Sequence, residues 1–274
     1  MIAIGALGGS GTRAVAEVLI KAGIFMGDDL NEEKDNLIFT RLFKNPNWYK
    51  NSSLKEKYKR MLILQKYMHS GKLSVSDILE TYKAANTNPT FYSKTEFYFR
   101  ILKMLFKTGE SNSIWGWKEP NTQIYMNELL QIFENLKYIH VLRNGLDMAY
   151  SNNKQQLINW GWKYNIILDG TEDENQLTVK QLNYWIESTQ DILTKSKAYE
   201  NRFLLINHTN FCTNPKFEID KILEFCNVKV QSNVLENLYK IPQNMGSNDR
   251  YKTRDFSLFT SSQIQFVQQM GFTI

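Results

Sequence analysis

Ile2-Ala3-Ile4-Gly5-Ala6-Leu7-Gly8-Gly9-Ser10-Gly11-Thr12-Arg13 reads as a short apolar run, a glycine-rich turn and the start of an amphipathic segment that continues to Ala22. A strand that feeds a Gly/Ser/Thr turn into a helix is a phosphate cradle. Glycines let backbone N–H groups close around an anion without interference from Cβ. The helix N-terminus adds unsatisfied donors and a positive dipole end. Ser10 and Thr12 offer hydroxyls, and Arg13 offers a fork able to grip two oxygens. A Walker A loop needs Lys directly after its last glycine, whereas here Gly11 is followed by Thr12 and Arg13. The turn does not match the dinucleotide fingerprint G-x-G-x-x-G either. An ordinary glycine-rich β–α turn is the alternative reading.

The chain has 274 residues, enough for one sizeable core, and the expectation is a single α/β domain over 1–274. A hydrophobic fraction of 42% with 16 Phe excludes a disordered chain. The net charge of +5 favours an anionic ligand but is too diffuse to point to nucleic acid. Cys212 and Cys226 fit neither a zinc pattern nor a disulfide framework, so they read as reduced thiols in a cytoplasmic protein. The first strand begins at Ile2, which leaves no signal peptide, and no apolar run approaches the ~18 residues of a membrane span.

Working outward, Ile24-Phe25-Met26 reads as a second short strand, and Leu37 to Phe43 as a helix stopped by Asn45-Pro46-Asn47. Leu54 to Met68, Val75 to Tyr82 and Lys94 to Phe106 repeat their apolar residues at helical spacing, which predicts a helical insertion over about 45–110. The insertion is rich in aromatics, among them Trp48, Tyr49, Phe91 and Tyr92. Most of these belong in a core, and some could wall an acceptor site. Strand-like Ser113 to Lys118 precedes a helix over Thr122 to Glu134 with Asn121 as its cap. Leu136 to Leu142 is the clearest buried strand, and a helix over Gly145 to Gln155 follows it. Residues 156 to 175 read as irregular, Leu177 to Tyr199 as a long helix, and Arg202 to Ile206 as a strand. Asn207 to Pro215 reads as a loop, followed by helices over Lys216 to Cys226 and around Ser262 to Met270. Alternating strands and helices predict a central parallel sheet flanked by helices, with ligands at its carboxyl edge.

Arg143 stands at the end of the buried strand, with Ser151 eight residues on, about two turns into the expected helix. Guanidinium and hydroxyl together could hold a second phosphate. Taken with the first loop, this segment resembles the sulfotransferase superfamily, which uses 3′-phosphoadenosine 5′-phosphosulfate (PAPS). Gly8-Gly9-Ser10-Gly11-Thr12-Arg13 is similar to that family's 5′-phosphosulfate loop. Tyr138 to Ser151 is similar to its 3′-phosphate segment. Lys118-Glu119-Pro120 resembles the Lys-x-Pro strand end of tyrosylprotein and heparan-type sulfotransferases, whose lysine lies beside the transferring group. Leu204 to Pro215 and Ser247 to Lys252 are weaker echoes, the latter of a C-terminal cofactor loop that puts Arg250 and Tyr251 on the donor.

The resemblance implies a P-loop NTPase-like α/β fold, PAPS as donor, desulfated PAP as product, and no required metal. It also implies a small-molecule or glycan acceptor. Many members carry Lys or Arg where this chain has Gly9, and Arg13 could supply that charge from the next turn. Lys118 and Arg13 are the candidates for stabilising the transferring group. For the base, the matching region Gly27 to Glu32 favours Asp29, with Asp28, Glu32 and Glu119 behind it. His69, His140 and His208 read as structural. Trp160 and Trp162 could stack on sugar rings. Two other functions compete, a P-loop nucleotide kinase or NTPase and a non-catalytic nucleotide-binding module. The missing Walker lysine disfavours the first, and catalytic turnover would exclude the second.

Overall fold

The computed structural model describes residues 1–87, 94–106, 112–242 and 249–274. Phe91, Tyr92 and the Ser247 start of the C-terminal loop lie outside the described residues. β1 (Ile2–Ala6) runs into α1 (Thr12–Lys21). Five helices, α2 (Leu37–Phe43), α3 (Pro46–Asn51), α4 (Leu54–His69), α5 (Val75–Thr87) and α6 (Lys94–Lys103), precede β2 (Gly116–Lys118). A 3₁₀ turn over Pro120–Tyr125 and α7 (Met126–Ile132) lead to β3 (Lys137–Leu142). Then come α8 (Gly145–Ala149), α9 (Gln155–Trp160), α10 (Glu174–Ser196) and β4 (Phe203–Asn207). The chain closes with α11 (His208–Thr213), α12 (Pro215–Cys226), α13 (Ser232–Leu238) and α14 (Ser261–Gln269).

The four strands form a parallel sheet in the order β2-β1-β3-β4. Alternation along the strands divides the core between its two faces. Ile2, Ile4 and Ala6 of β1 and Ile139 and Val141 of β3 pack with Val15, Val18 and Leu19 of α1 and with Ile219 and Ile222 of α12. Ala3, Tyr138 and Leu142 face the other way, against a larger core built by α2, α4, α7 and α10. α1 forms because its apolar residues recur on one face, and the chain leaves it through Gly23 at φ 91°. α2 is capped by Asn36, whose Oδ1 accepts from the Phe39 N–H at 3.0 Å.

Several local expectations are corrected. Phe25 makes only an isolated bridge to Trp115, so Ile24–Met26 does not become a strand. The 3₁₀ turn begins at Pro120, and its cap is Glu119, not Asn121, because the Glu119 carboxylate reaches the Asn121 N–H. The helix after β3 ends at Ala149, so Ser151 lies beyond it, in the link to α9. Residues 156–164 are helical where irregular chain was expected, closed by Asn165 in the left-handed region at φ 57°. The segment after β4 is the helix α11, capped by Asn207, whose Oδ1 accepts from the N–H groups of Thr209 and Asn210. Asn residues at both points supply the caps that hydrophobic periodicity does not register.

Candidate active site

With β1 between β2 and β3, the chain crosses from one side of β1 to the other, and the crevice between such crossings is where open parallel sheets hold ligands. A cleft of about 530 Å³ lies there, against the loops that follow β1, β2, β3 and β4. Gly9 and Gly11 both have positive φ, 91° and 87°, and α1 starts at Gly11 with no side-chain cap. The first-turn N–H groups of α1 are therefore not taken by a capping side chain. A Cβ on Gly11 would stand 2.2 Å from Cδ2 of His208, so the loop closes against that ring only because the residue is glycine.

Arg143 reaches across from the end of β3 and donates from Nη1 to the Gly9 carbonyl at 2.8 Å. This contact spans 134 positions of sequence and brings the glycine turn and the end of β3 to one cleft. Burial lowers the Arg143 pKa, and Asp147, with Oδ2 3.8 Å from Nε, counteracts it. Ser151 and Arg250 line the same cleft. Burial, with Arg143 nearby, pulls the His208 imidazole down to about 4, so the ring is neutral at pH 7.

The end of β2 forms the opposite wall. Lys118 is 2% exposed, and its Nζ donates to Asp35 Oδ1 at 2.6 Å and to the Glu33 carbonyl at 2.5 Å. Glu33 in turn pairs with Arg13 at 3.1 Å, both side chains largely in solvent. These acids come from a loop closed at its base by Leu37 N–H to Asp29 O and docked on β2 by Asn36 N–H to Lys118 O. Lys34 at its tip takes a left-handed φ of 62°. Glu119 is buried, and its carboxylate accepts from the Asn121 N–H at 2.6 Å and from Asn121 Nδ2 at 2.9 Å. Burial pushes this carboxyl up to about 7, against the pull of Lys44 and the Asn121 donors. Gln156 ties the walls together. It donates to Ala6 O and to Asn121 Oδ1, and accepts from the Gly8 N–H.

The structure thus gathers Gly8, Gly9, Gly11, Thr12, Arg13, Lys118, Glu119, Arg143, Ser151 and Arg250 on one cleft. Several expected residues are elsewhere, and Asp28, Glu32 and Trp162 do not line the cleft either. The Ser10 hydroxyl is buried and faces Met148 Sδ at 4.0 Å, because the turn that closes by Ser10 N–H to Leu7 O points its side chain inward. Tyr251 is buried and donates to the Thr273 carbonyl, outside the cleft lining. Asp29 pairs with Arg100 of α6 at 3.4 Å and does not line the cleft. Trp160 is fully buried, its Nε1 donating to Asn121, so it has no face for a sugar.

Glu33, Asp35, Lys44, Gln156 and His208 are cleft residues that the sequence reading missed. His208 had a usable signal, since it directly follows the strand Phe203–Asn207, as Arg143 follows its own strand. Asp35 had none, because it lies in a polar stretch without periodicity. Among the described residues, no group of three His, Cys, Asp or Glu side chains is placed to hold a metal ion. No helix among them is long and apolar enough to cross a membrane.

The family model described as "Sulfotransferase family" matches residues 4–232. The fold is similar to that of the sulfotransferase domain from the Synechococcus olefin synthase, with TM-score 0.55 and 14% identity over 100% of this chain and 95% of that one. It is also similar to the sulfotransferase domain from the curacin biosynthetic pathway (TM-score 0.53, 13% identity, 100% and 98% covered). A sulfotransferase from Mycobacterium avium gives TM-score 0.51 at 11% identity, over 98% of this chain and 75% of that one. No curated protein matches the sequence. The match runs from β1 to the start of α13 and takes in the glycine turn, the Arg143 segment and the Lys118 strand end, and on that basis the chain belongs to the sulfotransferase family.

Proposed function

We propose that this chain transfers a sulfuryl group from PAPS to a hydroxyl of a polar acceptor such as a saccharide. The observation that carries the reading is the 2.8 Å contact of Arg143 with the Gly9 carbonyl, which joins two separate anion grips into one cleft. The residues present suit a doubly phosphorylated adenosine. Backbone N–H groups from Gly8 to the start of α1, with Thr12, fit a 5′-phosphosulfate. Arg143, Ser151 and Arg250 fit a 3′-phosphate.

Bound there, PAPS would supply an activated sulfuryl group. Lys118, and Arg13 from the loop, would neutralise the charge that grows on the bridging oxygen as its bond to sulfur breaks. Glu119 replaces Asp29 as the proposed base. It lines the cleft, and a carboxyl poised near neutrality is matched to removing a hydroxyl proton. Asn121 would hold that carboxylate still while the acceptor oxygen attacks sulfur. Lys44, Asp35, Asn121 and Gln155 also line the cleft, and so polar a lining favours a hydroxyl-rich acceptor over an apolar one.

Isothermal titration with PAP, and with ATP plus magnesium, tests the donor. The expected result is PAP binding that weakens at least tenfold in Arg143→Ala. Binding of magnesium-ATP with no PAP binding rejects the proposal and favours a nucleotide kinase. Transfer of labelled sulfate from PAPS to a panel of methyl glycosides then tests the acceptor class.

A further inference from the structure

Arg250 reaches the cleft from a turn that one buried carboxylate fastens to α8. Asp147 is 4% exposed and lies one helical turn beyond Arg143. Its Oδ2 accepts from the Asp249 N–H at 3.1 Å, and the nearby Tyr251 N–H also favours the charged carboxylate. The N–H groups on either side of Arg250 therefore converge on one side chain. Asp249 takes a left-handed φ of 60°, a conformation that non-glycine residues adopt rarely. Tyr251 fixes the far side of the turn through Thr273.

Asp147 Oδ1 is buried and has no hydrogen-bond partner among the described residues. A buried charge is tolerated only when it is paired. Here the compensation comes from Arg143 on one side and the Arg250 turn on the other. An apolar residue would fill this position at less cost if packing were its only task.

We propose that Asp147 is a positioning residue that joins Arg143 and Arg250 into a single two-arginine grip on the 3′-phosphate of the donor. This rests on the donor reading above. A carboxylate between the two segments sets the distance between the guanidinium groups before the ligand arrives, so less ordering is left to be done on binding.

The test compares PAP with AMP, which lacks the 3′-phosphate, by titration into full-length protein. The wild type should prefer PAP. Asp147→Ala should lower PAP affinity about tenfold and leave AMP affinity within twofold. Asp147→Asn keeps one acceptor oxygen without the charge and should fall between, near threefold. If Asp147→Ala does not fold, Asp147→Asn decides alone. A merely structural role would weaken both nucleotides equally, and that outcome, or unchanged PAP preference in a folded variant, overturns the proposal. A wild type that binds neither nucleotide overturns the donor reading itself.

Discussion

Replacing Glu119 by Gln should make the protein more stable at high pH while slowing its chemistry. The carboxyl is 1% exposed and sits at about 7, against 4.5 for an ordinary glutamate. Each step of one in pKa corresponds to 1.36 kcal/mol, so ionising Glu119 in the fold costs about 3 kcal/mol. The sign follows from linkage. Below pH 4.5 the carboxyl is protonated in both folded and unfolded chains, and its full relative stability is present. Between 4.5 and 7 the folded chain keeps a proton that the unfolded chain has lost, and stability falls as pH rises. Above 7 the loss is complete.

Urea unfolding of wild type and Glu119→Gln at pH 5 and pH 8 reads this directly. The stability difference between the two proteins should move by about 2–3 kcal/mol in favour of the variant over that interval. The variant amide and the protonated carboxyl meet the Asn121 donors differently, but that offset does not depend on pH and drops out. Turnover of the wild type should rise through a midpoint near 7 and fall by about two orders of magnitude in the variant, the usual scale for a lost base. Parallel unfolding curves, with a change under 1 kcal/mol, would refute the burial argument. An unchanged pH–rate limb in the variant would refute the assignment of the base.

Other perturbations separate the parts of the cleft. Lys118→Ala should lower the rate of transfer far more than it lowers PAP affinity, whereas Arg143→Ala should do the reverse; negligible effects of both would undo the assignment. Gly11→Ala puts a Cβ 2.2 Å from the His208 ring at a φ of 87°, so thermal unfolding should show a loss of about 1–3 kcal/mol, part of it recovered by adding His208→Ala. Ser10→Ala should leave PAP affinity within twofold, because its hydroxyl faces Met148; a tenfold loss would place that hydroxyl on the ligand. Arg13→Ala should weaken PAP binding if Arg13 supplies the charge absent at Gly9. The surface pair with Glu33 contributes little to stability, so the melting temperature should hardly move.

The signals that were legible in the chain were local ones. Ile2–Ala6 is a continuous apolar run and Tyr138–Leu142 one interrupted only by His140, the pattern of strands buried on both faces, and their ends carry the glycine turn and Arg143. The helices of the insertion showed themselves through apolar spacing. From these the parallel sheet, the glycine turn and the family could be read. Short helices such as α9 and α11 escaped, since one or two turns do not establish a period.

What the local pattern does not hold is which distant side chain arrives at a given cleft wall. Asp29 and Asp35 are both acids in one polar stretch. Arg100, carried in by the insertion, pairs with the first, while the loop geometry around Lys34 delivers the second to Lys118. Ser10 and Thr12 are alternate hydroxyls of one turn, yet the backbone of that turn sends only Thr12 to the cleft. Trp160 looks like a sugar platform until α9 folds it under Asn121. Backbone preference and hydrophobic period act over a few residues, and they decide strands, turns and helices. Side-chain partnership at the site depends on the strand order β2-β1-β3-β4 and on contacts between residues tens to more than a hundred positions apart, so only the tertiary structure could choose among the chemically equivalent candidates.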